Sequence, residues 1–195
     1  MKIYETKVEA GTKQWLKIPV DEECSLKAAA FCGSRPGKRL IVTAGVHGCE
    51  YIGILAVSRL IQELDPRQMK GEVVFLPIAN EGGFYKEIKQ LVPEDGVNLN
   101  RAFPGTEMGS RSAKIAAAVE TYLYPDADFL VDLHSGDIHE MVVPFAFFPV
   151  AAGETVEKKA AAAARAMSLS WRVASTAKNG LYSWAAQKGI PALLL

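Results

Sequence analysis

The stretch LIVTAGVHGCE, residues 40–50, decides the fold class of this 195-residue chain. It opens with the unbroken apolar run Leu40–Ala44, which is typical of a β-strand buried on both faces. Glycine and polar residues follow at once, and a helical periodicity then runs over 52–64 and stops before Pro66. A buried strand, a polar turn and a helix in this order are the building unit of α/β proteins.

The same alternation continues along the chain. Apolar runs predict strands at 73–78, 129–133, 142–148, 171–173 and 190–195, and periodic segments predict helices at 112–124, in the Ala-rich segment opened by Glu154 and at 183–188. The first third predicts strands at 3–8, 15–20 and 26–31, followed by a turn cluster at 34–38. The pattern therefore predicts an α/β fold with a mixed, largely parallel central sheet flanked by helices.

We expect two parts within this fold. Residues 1–33 should form a small N-terminal β extension packed on the main domain, and residues 34–195 should form the α/β domain itself. The last six residues are an apolar run without a cap or a polar tail, so we expect the chain to be truncated within a buried strand.

Composition excludes several classes of partner. Lys and Arg total 22, as do Asp and Glu, so the formal net charge is zero and nothing predicts binding to nucleic acid or to an anionic membrane surface. The charge-free stretch at 141–153 is shorter than the ~20 apolar residues of a membrane span. Three cysteines without CxxC spacing and the absence of an N-terminal apolar segment favour the cytoplasm.

Imidazole and carboxylate groups follow two of the predicted buried strands. His47 and Glu50 come directly after the strand at 40–44, and His134 comes directly after the strand at 129–133. Ligands of open α/β sheets bind beyond the carboxyl ends of the strands, where these side chains should meet. Two histidines and one carboxylate form the three-ligand set of a catalytic zinc ion.

Other interpretations of these residues stay open. A histidine at a strand end is often a hydrogen-bonded turn residue, and His139 offers a competing imidazole. Cys49 has a suitable ligand atom, but it adjoins Glu50 and should point elsewhere as a small packed thiol. Asp132 could orient a metal-bound imidazole, for which we expect that of His47, or it could cap local N–H groups.

A third group of candidate residues lies in the irregular segment before the helix at 112–124. Asn100 and Arg101 could grip a carboxylate, since an Arg fork binds it bidentately and an Asn amide adds a donor. A solvated loop arginine is the alternative. The apolar neighbours Val97, Leu99 and Phe103 predict a partly buried loop and favour a role in binding.

Three motifs stand in one order along the chain, namely GVHGCE at 45–50, NLNRAFPG at 98–105 and DLHSG at 132–136. In these motifs the chain resembles the succinylglutamate desuccinylase/aspartoacylase family of the zinc carboxypeptidase superfamily. The resemblance extends from about Ser34 to the end of the chain. It implies a zinc carboxypeptidase-like fold, with the N-terminal strands as the small leading extension of bacterial members.

The resemblance also implies roles for individual residues. One zinc ion per chain would be held by His47, Glu50 and His134, and Asn100 with Arg101 would hold the free carboxylate of a small-molecule substrate. The family's general base is a glutamate that would directly follow the run 189–195, and the C-terminal β domain of longer members is also lacking. Many members carry an arginine before a proline like Pro93, whereas this chain has Lys89, Gln90 and Leu91 there, so the residue that polarises the carbonyl is unassigned.

The resemblance implies a zinc-dependent hydrolase that cleaves the amide bond of small N-acyl amino acids. The same parts would serve a zinc carboxypeptidase acting on peptides, and a chain that lacks the base could be a zinc-binding module without catalysis.

Overall fold

The computed structural model describes all 195 residues and contains twelve strands, five α-helices and two short 3₁₀ helices. The strands are β1 (Lys2–Ile3), β2 (Thr6–Lys7), β3 (Thr12–Pro19), β4 (Ser25–Cys32), β5 (Arg35–Ala44), β6 (Lys70–Leu76), β7 (Leu91–Val92), β8 (Val97–Asn98), β9 (Phe129–Leu133), β10 (Phe145–Pro149), β11 (Trp171–Ser175) and β12 (Ala192–Leu194). The helices are α1 (Tyr51–Glu63), α2 (Glu81–Tyr85), α3 (Arg111–Tyr122), α4 (Glu154–Ala166) and α5 (Leu181–Gln187), and the 3₁₀ helices are Pro66–Gln68 and Leu99–Arg101.

One eight-stranded sheet organises the molecule, in the order β11-β10-β12-β9-β5-β6-β4-β3. Its central strands β12, β9, β5 and β6 run parallel, whereas β10 is antiparallel to β12, and β4 and β3 form an antiparallel edge. The predicted mixed, largely parallel sheet is confirmed. None of the helices is long and apolar enough to cross a membrane.

Helices cover both faces of this sheet. Apolar residues of α3 and α5 pack on one face in a cluster of 29 buried residues, and α1 and α4 pack on the other face in two smaller clusters. The ends of α4 suit its dipole, since Glu154 and Glu157 lie in its first turn and Arg165 in its last. Burial on both faces explains why the central strands are continuous apolar runs.

The N-terminal segment departs from the prediction in two places. The expected strand at 3–8 is two two-residue strands, because the chain turns at Tyr4, whose φ is 51°. The expected turn at 34–38 is instead the start of β5, which pairs Arg35 with Lys70 and shifts register before Arg39. Glycine makes this pairing possible, because a Cβ at Gly37 would lie 2.8 Å from the backbone of Gly71. Within residues 1–33, β4 pairs with β6, so β3 and β4 continue the main sheet.

The apolar run at the end of the chain is confirmed as a buried strand, and it lies near the middle of the sheet. β12 is parallel to β9 and pairs Leu194 with Asp132. Beyond this pair, the amide of Leu195 donates to the carbonyl of Asp132 at 3.0 Å, and the amide of His134 donates to the carbonyl of Leu195 at 2.7 Å. The carboxyl ends of β9 and β12 are therefore hydrogen-bonded to each other. We call this side of the sheet, where the parallel strands have their carboxyl ends, the ligand edge.

Candidate metal centre

The turn after β5 delivers two functional side chains to the ligand edge. Gly45 has a φ of +62°, and a Cβ at Gly48 would lie 2.2 Å from the backbone of Gly83, so only glycine allows this turn to pack against α2. Glu50 is the N-cap residue of α1 but makes no side-chain capping bond. Its carboxylate therefore faces His47, three positions earlier.

The third side chain reaches the same place from the neighbouring strand. His134 follows β9, and its ring lies 4.9 Å from the ring of His47 between centroids. Glu50 bridges the two imidazoles, with Oε1 2.6 Å from Nδ1 of His47 and Oε2 2.8 Å from Nδ1 of His134. One candidate ligand atom from each of these residues lies within 4.8 Å of the other two, so the sequence-predicted group does converge.

Each imidazole also forms a hydrogen bond through its Nε2 atom, on the other side of the ring from Glu50. Nε2 of His47 lies 3.1 Å from Oδ1 of Asn98, and Nε2 of His134 lies 3.0 Å from Oδ2 of Asp132. Asp132 is fully buried, and Thr43 donates to its other oxygen at 2.7 Å. Because an oxygen acceptor holds the proton on each Nε2, each Nδ1 is the atom that can bind a metal.

The expectation that Asp132 orients His47 is wrong. Asp132 lies in β9 and His134 follows the end of that strand two residues later, so Asp132 reaches the imidazole of His134 and not that of His47. The partner of His47 is instead Asn98, in the segment before α3. Sequence reasoning assigned Asn98 no role, although it opens the NLNRAFPG motif.

Burial and charge shift the titration of two members of the group in opposite directions. Burial alone would raise the pKa of Glu50, but hydrogen bonds from His134 and His47 outweigh it and hold the pKa at about 2. Burial alone would lower the pKa of His134, but the charge of Asp132 and the contact with Glu50 raise it to about 10. Without a metal, the chain therefore keeps a carboxylate beside a protonated imidazole, and a bound metal ion would replace that proton.

The donor set fits a zinc ion. Two imidazole nitrogens and one carboxylate oxygen are borderline and hard donors of the kind that catalytic zinc sites use, and three protein ligands leave a fourth position for water or substrate. The hydrogen-bonded Nε2 atoms complete the arrangement that metal-binding histidines need. His139 is exposed and lies outside the group, and Cys49 is buried with its sulfur 4.0 Å from the hydroxyl of Tyr51.

The two residues expected to bind a carboxylate have different surroundings. Asn100 is buried, and its side-chain oxygen accepts the amide of Leu181 at 3.0 Å. Arg101 is exposed, and its guanidinium donates to the carbonyl of Asn100 at 2.7 Å. Asn98 connects this segment to the metal ligands, because its Oδ1 also accepts the amide of Asn100 at 2.9 Å. Their role in substrate binding stays a prediction.

Similarity to known proteins extends over most of the chain. A model of the Succinylglutamate desuccinylase/Aspartoacylase catalytic domain matches residues 36–193. A curated N-alpha-acetyl-L-2,4-diaminobutyric acid deacetylase from Halomonas elongata is 35% identical over 137 residues, which are 68% of this chain and 40% of that protein.

Solved structures show the same similarity. A succinylglutamate desuccinylase/aspartoacylase from Rhodobacter sphaeroides aligns with a TM-score of 0.81 at 25% identity, covering 100% of this chain and 60% of that one. The product-bound ectoine utilization protein EutE (DoeB) from Ruegeria pomeroyi aligns with a TM-score of 0.79 at 26% identity, covering 94% of this chain and 58% of that one. The chain thus spans 40% to 60% of the length of these relatives.

Proposed function

The chain belongs to the succinylglutamate desuccinylase/aspartoacylase family, and on this premise we propose that it is the zinc-binding part of a hydrolase that cleaves the amide bond of small N-acyl amino acids. The observation that carries the proposal is the convergence of His47, Glu50 and His134 at the ligand edge. The deacetylase from Halomonas elongata, which acts on an N-acetyl amino acid by its name, supports the substrate class.

Each side chain has a role in this proposal. The Nδ1 atoms of His47 and His134 and the carboxylate of Glu50 would hold one zinc ion, and Asn98 and Asp132 would keep the two rings oriented. Arg101, with Asn100 beside it, would hold the free carboxylate of the substrate. A zinc ion bound here would supply Lewis acidity toward the acyl carbonyl and lower the pKa of a coordinated water.

The reaction adds one water across the amide. The C–N bond breaks. The acyl carbon gains the hydroxyl group of the water and becomes a carboxylic acid, and the amine nitrogen takes the remaining proton of that water. A general base must come within ~2.6–3.2 Å of that water or act through one further water. The family resemblance implies a glutamate after a strand like β12, and a residue joined to Leu195 would lie beside His134 at the ligand edge.

The test uses the whole protein, loaded with zinc and then stripped with a chelator. We expect amine release from N-acetyl-2,4-diaminobutyrate, N-acetylaspartate or N-succinylglutamate that disappears on stripping and returns with zinc. Blocked dipeptides with a free C-terminus are assayed in parallel, because preferential cleavage of them would identify a carboxypeptidase instead. Zinc binding without hydrolysis of any of these compounds would contradict the proposal.

A change at Arg101 tests the substrate-binding part separately. Arg101→Ala should raise KM by ~10-fold to ~150-fold, because a charge-assisted contact with a carboxylate contributes ~1.5–3 kcal/mol. The melting temperature should barely change, since the guanidinium is exposed and bonds only to the neighbouring carbonyl. A large drop in melting temperature with unchanged KM would show that Arg101 is structural.

A further inference from the structure

Thr43 places a hydroxyl group inside the central sheet, close to the candidate metal centre. It is the penultimate residue of β5, it is fully buried, and its strand neighbours Val42 and Ala44 are apolar. A hydroxyl removed from water costs free energy unless it forms a hydrogen bond. The side chain of Thr43 forms one, in which Oγ1 donates to Oδ1 of Asp132 at 2.7 Å.

The register of the sheet creates this contact. β5 and β9 are adjacent parallel strands, and Thr43 is paired directly with Asp132. Two positions earlier, Ile41 and Leu130 are paired in the same way and belong to the apolar cluster under α3 and α5. Because side chains alternate along a strand, the hydroxyl and the carboxylate share that covered face of the sheet. The contact is therefore set by two neighbouring strands of the sheet interior.

The chemistry of the pair fixes the direction of the hydrogen bond. An ionised carboxylate only accepts, so the hydroxyl of Thr43 must donate. The other oxygen of Asp132, Oδ2, lies 3.0 Å from Nε2 of His134. Each carboxylate oxygen thus has one partner, and the bond from Thr43 prevents the carboxylate from turning away from the imidazole. This orientation matters because His134 faces Glu50 through its other nitrogen, Nδ1.

A neutral donor suits this position better than a cation. Asp132 forms no ion pair with a lysine or arginine, and its one charged contact is with His134. A cation in the place of Thr43 would compete with the imidazole for the charge of Asp132. A hydroxyl orients the carboxylate and leaves that charge to the imidazole, and the interaction is strong because both partners are removed from water.

We propose that Thr43 is a positioning residue of the metal centre. Its hydroxyl holds Asp132 in the orientation that keeps the imidazole of His134 aligned to bind zinc through Nδ1. The inference rests on the proposed function for the identity of the metal ligands, and it adds to them a residue from the interior of β5. The alternative is a hydroxyl that satisfies a buried carboxylate and contributes to stability alone.

Substitution of Thr43 tests the proposal through zinc affinity, measured by competition with a chromophoric chelator at a temperature at which every variant is folded. Thr43→Val removes the hydroxyl and keeps the β-branched shape. We expect its zinc affinity to fall ~3-fold to ~10-fold, less than the ~10–100-fold typical of a direct partner of a metal ligand. Thr43→Ser keeps the hydroxyl and should restore the wild-type affinity. Equal affinity in Thr43→Val and wild type would overturn the proposal.

Ser112 provides a matched control. It is also buried, and its Oγ donates to Oδ2 of Asp95 at 2.6 Å at the start of α3. Ser112→Ala therefore removes the same kind of hydrogen bond from another carboxylate. It should lower the melting temperature and leave zinc affinity unchanged. A loss of zinc affinity in Ser112→Ala equal to that in Thr43→Val would show a general effect of stability and would refute the positioning role.

A double-mutant cycle tests whether Thr43 acts through Asp132. Thr43→Val is combined with Asp132→Asn, and the zinc affinities of the two single variants and the double variant are compared. We expect no further loss from Thr43→Val once the carboxylate is gone, because residues of one hydrogen-bonded network have effects that do not add. Losses that multiply independently would refute the proposed route through Asp132.

A second substitution applies if Thr43→Val does not fold. Thr43→Cys keeps a donor, but the thiol is a weak one, so its zinc affinity should lie below that of Thr43→Ser. Equal affinities in these two variants would refute the role of the hydroxyl.

The outcomes separate this inference from the proposed function. Zinc binding that Thr43→Val weakens, in a protein that hydrolyses no amide, would support the positioning role and refute the hydrolase. Zinc-dependent hydrolysis with the same zinc affinity in Thr43→Val and wild type would refute the positioning role and leave the hydrolase intact. A protein that binds no zinc would refute both.

Discussion

Two groups of charged side chains in this molecule differ in how far they are buried. In the metal centre, Glu50 and His134 are each about a tenth exposed in their side chains, with Asp132 fully buried behind them. In the turn after β3, Asp21 binds Arg111 at 2.7 Å and Lys114 at 3.3 Å, both at the start of α3, and their side chains are 18% to 30% exposed. We call this second set the Asp21 cluster.

The two groups differ in their access to water. Charges removed from water are expensive unless they compensate one another, so each member of the metal centre depends on its partners and the group responds strongly to a metal ion. Water still reaches the Asp21 cluster and screens its charges. The cluster therefore connects the turn after β3 to the start of α3 but contributes little to the free energy of unfolding. Burial, rather than the number of charges, makes one group reactive and the other structural.

Glu50→Gln should have the largest effect. It removes the only carboxylate that contacts both Nδ1 atoms, and we expect zinc affinity to fall by more than ~100-fold, beyond the ~10–100-fold typical of residues behind the ligands. Competition with a chromophoric chelator measures the affinity. The matched control is Glu63→Gln on the exposed face of α1, whose side chain is 58% exposed. Unchanged zinc affinity in Glu50→Gln would remove Glu50 from the ligand set.

Substitutions of Asp132 and Asn98, which form hydrogen bonds to the two histidines, should lower the zinc affinity by different amounts. Asp132→Asn removes a buried charge, and we expect zinc affinity to fall ~10–100-fold. Asn98→Ala removes a neutral acceptor from His47, and we expect a fall of less than ~10-fold, because charge-assisted hydrogen bonds are roughly twice as strong as neutral ones. Equal losses in the two variants, measured by the same competition, would show that the charge of Asp132 is unimportant.

Breaking the Asp21 cluster should cost only stability. Arg111→Ala should reduce the free energy of unfolding by about 1 kcal/mol, which for a chain of this length lowers the melting temperature by ~2–4 °C. Arg59→Ala provides the control, because Arg59 pairs with Glu63 on α1 with 76% of its side chain exposed and should contribute less than ~0.5 kcal/mol. Zinc affinity should be unchanged in both variants, and a loss in Arg111→Ala would mean that the cluster reaches the metal centre.

Lowering the pH should gradually remove the small contribution of the Asp21 cluster to the stability of the fold. The hydrogen bond from Arg111 is the main reason that the pKa of Asp21 falls from 3.8 to about 2. A carboxyl with a lowered pKa in the folded state stabilises the protein above its unfolded pKa, and the gain is lost as the pH falls from about 4 toward 2. Urea unfolding of the wild type and Asp21→Asn should therefore differ most near pH 6 and converge at acidic pH. A difference that does not vary with pH would refute the assigned cause.

The local pattern of the sequence predicted most of the fold and the identity of the candidate ligands. The positions of α1, α3, α4 and β9 follow from periodicity and apolar runs, because these depend on residues a few positions apart. The start of β5 did not follow, since the turn-forming composition at 34–38 is overridden by pairing with β6 around Gly37 and Gly71.

By itself, the sequence determined an α/β sheet and the expectation that His47, Glu50 and His134 meet at its ligand edge. Only the tertiary structure decided that Asn98 forms the hydrogen bond to Nε2 of His47 and that Asp132 forms the one to Nε2 of His134. The physical reason is distance along the chain. His47 and Asn98 are 51 positions apart, and a contact of that kind exists only once the packing of the whole sheet has brought the two segments together.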